Sequence, residues 1–197
     1  DGSLWVMGDN AYGQLGDGTT TDRTSPIQIE SAGVVRATAG ARHTQYLKSD
    51  GNLWAMGQNS SGQLGDGTGT DSNVSVQTLA TSVSKFESGY YHNFFKKEDG
   101  SRWAMGGNWW GHLGDGRASA RTSPVQIYPS GISDFGIGKE HTYFRLEDGS
   151  LWTTGDNGHG QLGDGSTTNR TSPVKVVDDS VMQVFGGGNS SYFLKKD

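Results

Sequence analysis

Gly13-Gln14-Leu15-Gly16-Asp17-Gly18 is written four times in this chain. It returns as Gly62–Gly67, as Gly111–Gly116 with His112 in place of the glutamine, and as Gly160–Gly165, at a constant step of 49 residues. Four such periods account for the 197 residues, so the chain reads as one repeat domain with repeats 1–49, 50–98, 99–147 and 148–197. Three glycines in six residues mark a turn, where the backbone enters the left-handed region or passes close to another segment. The aspartate within it can accept hydrogen bonds from neighbouring amides. The hexapeptide is therefore first a structural corner.

Outward from that corner, the first period holds four short runs of β-branched and aromatic residues bounded by Gly, Asp, Ser or Pro. They are Leu4–Gly8, Pro26–Glu30, Val34–Ala39 and His43–Lys48. Asp50-Gly51, Asp99-Gly100 and Asp148-Gly149 each join two such runs, which predicts hairpins with two-residue type I′ turns. Four antiparallel strands per period of this length, repeated radially, predict an all-β β-propeller of four 49-residue, four-stranded blades. The glycine density and the missing 3.6-residue period exclude a helical solenoid. The chain opens at Asp1-Gly2, the second half of a hairpin, and stops at Lys196-Asp197, where the next Asp-Gly would begin. Leu4–Gly8 and Ser191–Lys195 thus lack covalent hairpin partners. Either they pair and close a four-bladed ring, or the chain is an arc of a larger propeller whose open edges allow self-association.

Composition narrows the function. Charged residues make up 19% and the net charge is −5, without runs, which weighs against a nucleic-acid partner. There is no cysteine, so disulfides, thiolate metal sites and a cysteine nucleophile are unavailable. No apolar run approaches the ~18 residues of a membrane span, so no membrane partner is expected.

Gly40-x-x-His43-Thr44-x-x-Leu47, followed by Asp50-Gly51-x-Leu53-Trp54-x-x-Gly57-x-Asn59-x-x-Gly62-Gln63-Leu64-Gly65, resembles the repeat of the regulator-of-chromosome-condensation family. The resemblance covers all four periods. Arg23-Thr24-Ser25-Pro26, repeated at Arg121–Pro124 and Arg170–Pro173, resembles the bacterial versions. It implies a propeller, typically of seven blades, that binds partners through loops on one face of a rigid disc. It also implies a bacterial host and a secreted or cell-surface protein. Two activities within the family do not carry over. The constant period leaves no room for the wedge of the GTPase exchange factor. The photoreceptor's clustered tryptophans are replaced by Ala41, Tyr90, Lys139 and Gly188.

Several in-register residues invite chemistry and are better read as structure. Trp5, Trp54, Trp103 and Trp152 are expected to pack between blades. His43, His92 and His141 could suggest zinc, but they fall on different blades, so hydrogen bonding inside each blade is expected and no metal is assigned. Asp17, Asp66, Asp115 and Asp164 fit no calcium-loop spacing and are expected to cap turns, with Arg23, Arg121 or Arg170 as ion-pair partners. No catalytic constellation and no cofactor motif stand out, so the chain is expected not to be an enzyme.

The clue to function is where the copies disagree. Before the histidine position stand Ala41-Arg42, Tyr90-Tyr91, Lys139-Glu140 and Gly188-Asn189. After the asparagine stand Ala11-Tyr12, Ser60-Ser61, Trp109-Trp110 and Gly158-His159. Two-residue turns would set Lys97 opposite Arg102 and carry Tyr90 opposite Trp109, at the end of the disc away from the Asp-Gly turns. Tyr90, Tyr91, Trp109 and Trp110 then form one exposed aromatic cluster flanked by Arg42, Lys139, Glu140 and His159, the composition of an interaction hot spot. The expected function is a non-enzymatic scaffold recognising a protein partner. A carbohydrate-binding, lectin-like propeller and a structural segment of a larger adhesin or filament are the alternatives.

Overall fold

The computed structural model describes residues 1–127 and 131–196. Asp197, the last residue of the fourth repeat, lies outside them. Among the described residues there are sixteen strands and no helix. They are β1 (Leu4–Gly8), β2 (Arg23–Glu30), β3 (Val34–Ala39), β4 (His43–Lys48), β5 (Leu53–Gly57), β6 (Ser72–Gln77), β7 (Val83–Ser88) and β8 (His92–Lys97). The second half continues with β9 (Arg102–Gly106), β10 (Arg121–Gln126), β11 (Ile132–Ile137), β12 (His141–Leu146), β13 (Leu151–Gly155), β14 (Arg170–Val177), β15 (Val181–Gly186) and β16 (Ser191–Lys195).

Four strands per period form as the sequence predicts, but the sheets are out of phase with the 49-residue frame. β3–β6, β7–β10 and β11–β14 each make a complete four-stranded blade, and the fourth set is divided into two-stranded sheets, β1–β2 and β15–β16. All ladders with a defined register are antiparallel. This is a β-propeller, and its blade count fits a partial one. Two compact units divide the chain. One is Asp1–Gly107 with Arg121–Pro124, and the other is Asn108–Ala120 with Val125–Asp197.

The hairpins differ from the two-residue turns expected. In the first, the Lys48 amide donates to the Asn52 carbonyl (3.0 Å) and the Gly51 amide to the Lys48 carbonyl (3.0 Å). The loop is thus three residues long, with Gly51 at φ +79° as a bulge in the left-handed region. Lys97–Ser101 and Leu146–Ser150 repeat the pattern. The register is therefore one residue away from expectation, with Lys96 and not Lys97 opposite Arg102 and His92 opposite Gly106. Such a slip exchanges the two faces of a strand, so the ladder does not carry Tyr90 opposite Trp109.

In the first unit the core lies between consecutive sheets. Leu47 and Leu53 from one blade meet Val83, Phe86, Phe95 and Met105 from the next, with Trp103 half-buried against them. In the second unit Tyr143 and Leu151 meet Val181 and Val184. Fully burying each aromatic or aliphatic side chain contributes roughly 1.5–3 kcal/mol. The repeated tryptophans are only half-buried, and Trp5 is exposed. Each lies along its own sheet, as in the stacked pairs Tyr46–Trp54 (6.4 Å) and Phe95–Trp103 (6.5 Å), roofed by Lys48 Nζ at 4.7 Å and Lys97 Nζ at 4.5 Å.

Of the repeat histidines, His43 bonds across to the next sheet, while His141 contacts the Tyr143 hydroxyl on its own strand as well as the next sheet. His43 Nε2 on β4 lies 2.8 Å from Asn93 Oδ1 on β8, and His141 on β12 reaches Ser191 Oγ on β16 at 3.4 Å. No group of three or more potential ligands that could hold a metal exists among the described residues. A second bridge runs from the first three glycine loops to the next sheet. The Gly18, Gly67 and Gly116 amides donate to the carbonyls of Asn73, Thr122 and Thr171 at 2.8, 2.9 and 3.0 Å. The approach is close enough that a Cβ on Gly62, at φ +77°, would fall 2.5 Å from Thr122 Cα.

Two consequences can be measured. Gly62→Ala should cost at least about 2 kcal/mol of unfolding free energy, since it adds left-handed strain to a backbone clash. Gly18→Ala, at φ +81° with nothing within 4 Å, should cost only about 1 kcal/mol. Equal losses in chemical denaturation would show that the loop contact is unimportant. Burial pushes His43 from its ordinary 6.5 down to about 4, a shift only partly offset by the Asn93 bond. The unfolded chain therefore takes up a proton below pH 6.5 that the folded chain refuses until about pH 4. Stability from this site is intact above pH 6.5 and declines as pH falls toward 4, approaching about 1.4 kcal/mol per pH unit within that window. Denaturation curves across that range should show the decline, and His43→Gln should flatten it by one proton's share.

Candidate functional surface

The variable dipeptides occupy loops held by a fixed polar frame. In the first repeat the buried Asn10 side chain donates from Nδ2 to Asp17 Oδ1, the Thr19 carbonyl and the Thr21 carbonyl, each at 3.1 Å. Its Oδ1 accepts the Leu15 amide at 2.9 Å. Gln14 closes the corner, accepting the Tyr12 amide at 2.9 Å and donating to Asp9 Oδ2 at 2.7 Å. Asn59, Asn108 and Asn157 repeat the aspartate and leucine contacts. The aspartates cap these turns as expected. Arg23 pairs with Asp17 (Nε to Oδ2, 2.6 Å) and Arg170 with Asp164 (2.7 Å). Hydrogen bonds from Thr19, then from Arg23, hold the Asp17 carboxyl far below the usual carboxylate range despite an opposing burial cost. Burial also opposes the charge on Asp164, yet the Ser166 and Arg170 hydrogen bonds keep that carboxyl low.

On this frame the first unit gathers Arg42, Tyr90 and Tyr91. The Ala41 amide donates to the Tyr90 carbonyl at 3.1 Å, joining the β3–β4 and β7–β8 loops. The Tyr90 and Tyr91 rings meet edge to face at 4.6 Å, and Tyr90 is 37% exposed. Arg42 lies 4.6 Å over the ring of Tyr12. Tyr12 is thus an addition to the expected set. It comes from the glycine loop of one sheet and meets a hairpin of the next, a contact that no intra-hairpin register foretells.

The second unit carries Trp109, Trp110, Lys139, Glu140 and His159. Trp109 and Trp110 are 47% and 43% exposed. The Lys139 amide donates to the Gly188 carbonyl at 3.1 Å, matching the Ala41–Tyr90 bond, and Lys139 and His159 are exposed. The Glu140 carbonyl accepts the Asp156 amide at 2.8 Å, and the His159 amide donates to Gln161 Oε1 at 2.8 Å. In both loops it is the backbone that is committed to the frame. The side chains offer ring faces, cations and a carboxylate, with Tyr90, Trp109, Trp110 and Lys139 exposed and Arg42 and Glu140 half-buried.

Comparison with known proteins agrees with this architecture. The profile described as "Regulator of chromosome condensation (RCC1) repeat" matches residues 1–47, 50–95 and 148–194, and a second profile of the same description matches 34–63 and 132–161. No curated protein sequence matches the chain. Among solved structures, human WBSCR16 aligns at TM-score 0.86 with 21% identity, over 100% of this chain and 54% of its own. Prp20p from Saccharomyces cerevisiae, in a structure that reports its binding properties to Gsp1p and histones, aligns at 0.83 with 18% identity, over 99% of this chain and 52% of its own. Yeast RCC1 (Prp20) bound to Kap60 aligns at 0.78 with 18% identity, over 95% and 48%. The chain therefore spans about half the length of these proteins. The matched repeats, the sixteen-strand topology and the shared blade geometry place this chain in the RCC1-repeat family.

Proposed function

We propose that the chain is a protein-binding module, not an enzyme, and that it recognises its partner through the variable loop residues. In the first unit these are Tyr12, Arg42, Tyr90 and Tyr91. In the second they are Trp109 and Trp110 with Lys139, Glu140 and His159.

The observation that carries this reading is the exposure of Tyr90, Trp109 and Trp110 on loops whose backbone is already locked. The frame does not require aromatic rings at these positions, since the equivalent positions in other repeats do without them, as Ala41, Lys139, Ser60 and Ser61 show. For binding the same rings are well suited. Tyr, Trp and Arg dominate interface hot spots, and a pre-ordered loop loses little conformational entropy when a partner docks. The yeast protein Prp20, of the same fold, in a structure with Kap60 and in one that reports its binding properties to Gsp1p and histones, points to the same class of ligand.

A phage-displayed random peptide library selected on the 197-residue chain provides the test. Enriched peptides should bind the parent chain and lose about 30-fold in affinity, about 2 kcal/mol, against Tyr90→Ala/Tyr91→Ala or against Trp109→Ala/Trp110→Ala. The melting transition should be unchanged in both variants. Binding that is indifferent to both pairs would refute the proposed surface. Enrichment on a glycan array with no peptide selected would move the reading to carbohydrate.

A further inference from the structure

The second repeat lacks a cation that its loop is shaped to hold. In the first repeat Arg23 places Nε 2.6 Å from Asp17 Oδ2, with Nη2 against the same oxygen and 3.3 Å from the Thr19 hydroxyl. In the fourth, Asp164 Oδ2 lies 2.7 Å from both Nε and Nη2 of Arg170. The third repeat keeps the same spacing with Asp115 and Arg121. In the second, the position after Asp66 that should hold the arginine is Ser72. Its Oγ donates to the Val74 carbonyl at 2.7 Å, within its own strand, and it brings no charge.

The loop around the missing arginine keeps its shape. Asp66 Oδ1 accepts Asn59 Nδ2 at 3.0 Å and the Thr68 amide at 2.9 Å. Asp17 Oδ1 accepts Asn10 Nδ2 at 3.1 Å and the Thr19 amide at 2.9 Å. The carboxylate is therefore held in the same way in both copies, and the difference lies at Oδ2. On Asp17 that oxygen takes the guanidinium. On Asp66 it takes only the Thr68 hydroxyl at 3.0 Å, which is shared with Oδ1 at 2.9 Å. Among the described residues, Asp66 has no cationic partner.

The surroundings favour a cation from outside. Asp71 Oδ1 accepts the Asn59 amide at 2.7 Å, which sets a second, exposed carboxylate on the same asparagine. The first repeat carries the same pair, Asp17 and Asp22 on Asn10, but with Arg23 beside it. Leu79 Cδ1 lies 3.6 Å from where a Cβ on Gly67 would stand, and Leu79 is 57% exposed. An apolar side chain next to a carboxylate suits a ligand with a methylene stem and a charged head.

We propose that this loop takes an arginine side chain from a protein partner, its guanidinium lying on Asp66 Oδ2 as those of Arg23 and Arg170 lie on Asp17 and Asp164. The ligand class is read from the molecule itself, because the same loop holds a guanidinium twice in this structure. Lysine would bring the charge without the planar fork that fits a carboxylate edge. A single exposed pair of this kind is weak, so the seat selects which segment docks and leaves most of the affinity to other contacts. The glycine corner gains a ligand only where its pattern breaks, at Ser72. Its seat is built without Tyr90, Tyr91, Trp109 or Trp110, so its test is separate from theirs.

The probe is N-acetyl-arginine N-methylamide, which presents the side chain as it stands within a polypeptide. In amide proton–nitrogen NMR spectra of the parent chain it should move the Asp66, Gly67 and Thr68 signals along a saturating curve. The matching lysine compound should bind at least about threefold more weakly. The Asp17 and Thr19 signals, where Arg23 already fills the seat, should stay still. Ser72→Arg should close the second seat and abolish the titration. Arg23→Ser should open an equivalent seat and make the Asp17 and Thr19 signals respond. Both variants use residues that other repeats carry at that position, so a cooperative melting transition should persist. Parent signals that do not move overturn the proposal, as does a lysine compound that binds equally well. A Ser72→Arg chain that still titrates, or an Arg23→Ser chain whose first loop stays silent, overturns it too. Free L-arginine binding more tightly than the capped compound would make the amino acid the ligand and remove the protein partner.

Discussion

Four buried asparagines, Asn10, Asn59, Asn108 and Asn157, are the constraint on which the rest of this molecule depends. Each sits at 0% exposure with its amide nitrogen directed at an aspartate and at carbonyls of its own loop, and its amide oxygen taken by the leucine amide five residues on. A buried polar side chain is tolerated only when its hydrogen bonds are made, and each one left open costs about 1–3 kcal/mol. The asparagine therefore selects one loop conformation from many. That choice places the aspartate where Thr19 and Arg23, or Ser166 and Arg170, can reach it, and it sets the glycines at positive φ.

Fixing the loop is also what lets the module tile. A glycine loop held in one shape offers a flat backbone patch, and the next sheet lays Thr122 or Thr171 against it at a distance no side chain would permit. The loop carbonyls of Gln14, His112 and Gln161 then accept side-chain hydrogen bonds from Thr44, Thr142 and Ser191, and that of Gln63 from Asn93. Successive sheets are thereby held by backbone geometry as much as by the aromatic core, which suits a chain whose hydrophobic residues make up only 31%. Few apolar contacts suffice where the register between modules is already dictated by hydrogen bonds.

Much of this was legible in the sequence because it is written periodically. β1, β3 and β4 occupy the residues expected, and β2 begins three residues earlier, at Arg23. The aspartate–arginine pairs followed from side-chain chemistry at fixed spacing. What escaped were the interactions decided by one hydrogen bond or by a neighbouring repeat. Asp-Gly is compatible with two-residue and three-residue hairpin loops, and only the Lys48–Asn52 bond chooses between them. His43 looks self-contained within its repeat, yet its partner is Asn93, 50 residues away in the next repeat. Tyr12 under Arg42 is missed because it crosses between two sheets, although both residues lie in the first repeat. A repeat describes its own interior well and its seams poorly, since the pattern of one copy says nothing of which atoms of the next it will touch.

The same division explains where variation is tolerated. In the dipeptides before the histidine and after the asparagine, the structure uses the backbone: Ala41 and Lys139 donate amides, Arg42, Tyr91 and Glu140 offer carbonyls, and Tyr12 and His159 donate amides to a glutamine. Every residue except proline supplies these groups. Side-chain identity there is thus released from the demands of folding, and alanine, tyrosine, lysine, tryptophan and glycine all occur. A surface in which stability is carried by the main chain and identity by the side chains can change its partner without changing its fold. That separation is the physical reason to look for function in these loops and not in the invariant glycine corners beneath them.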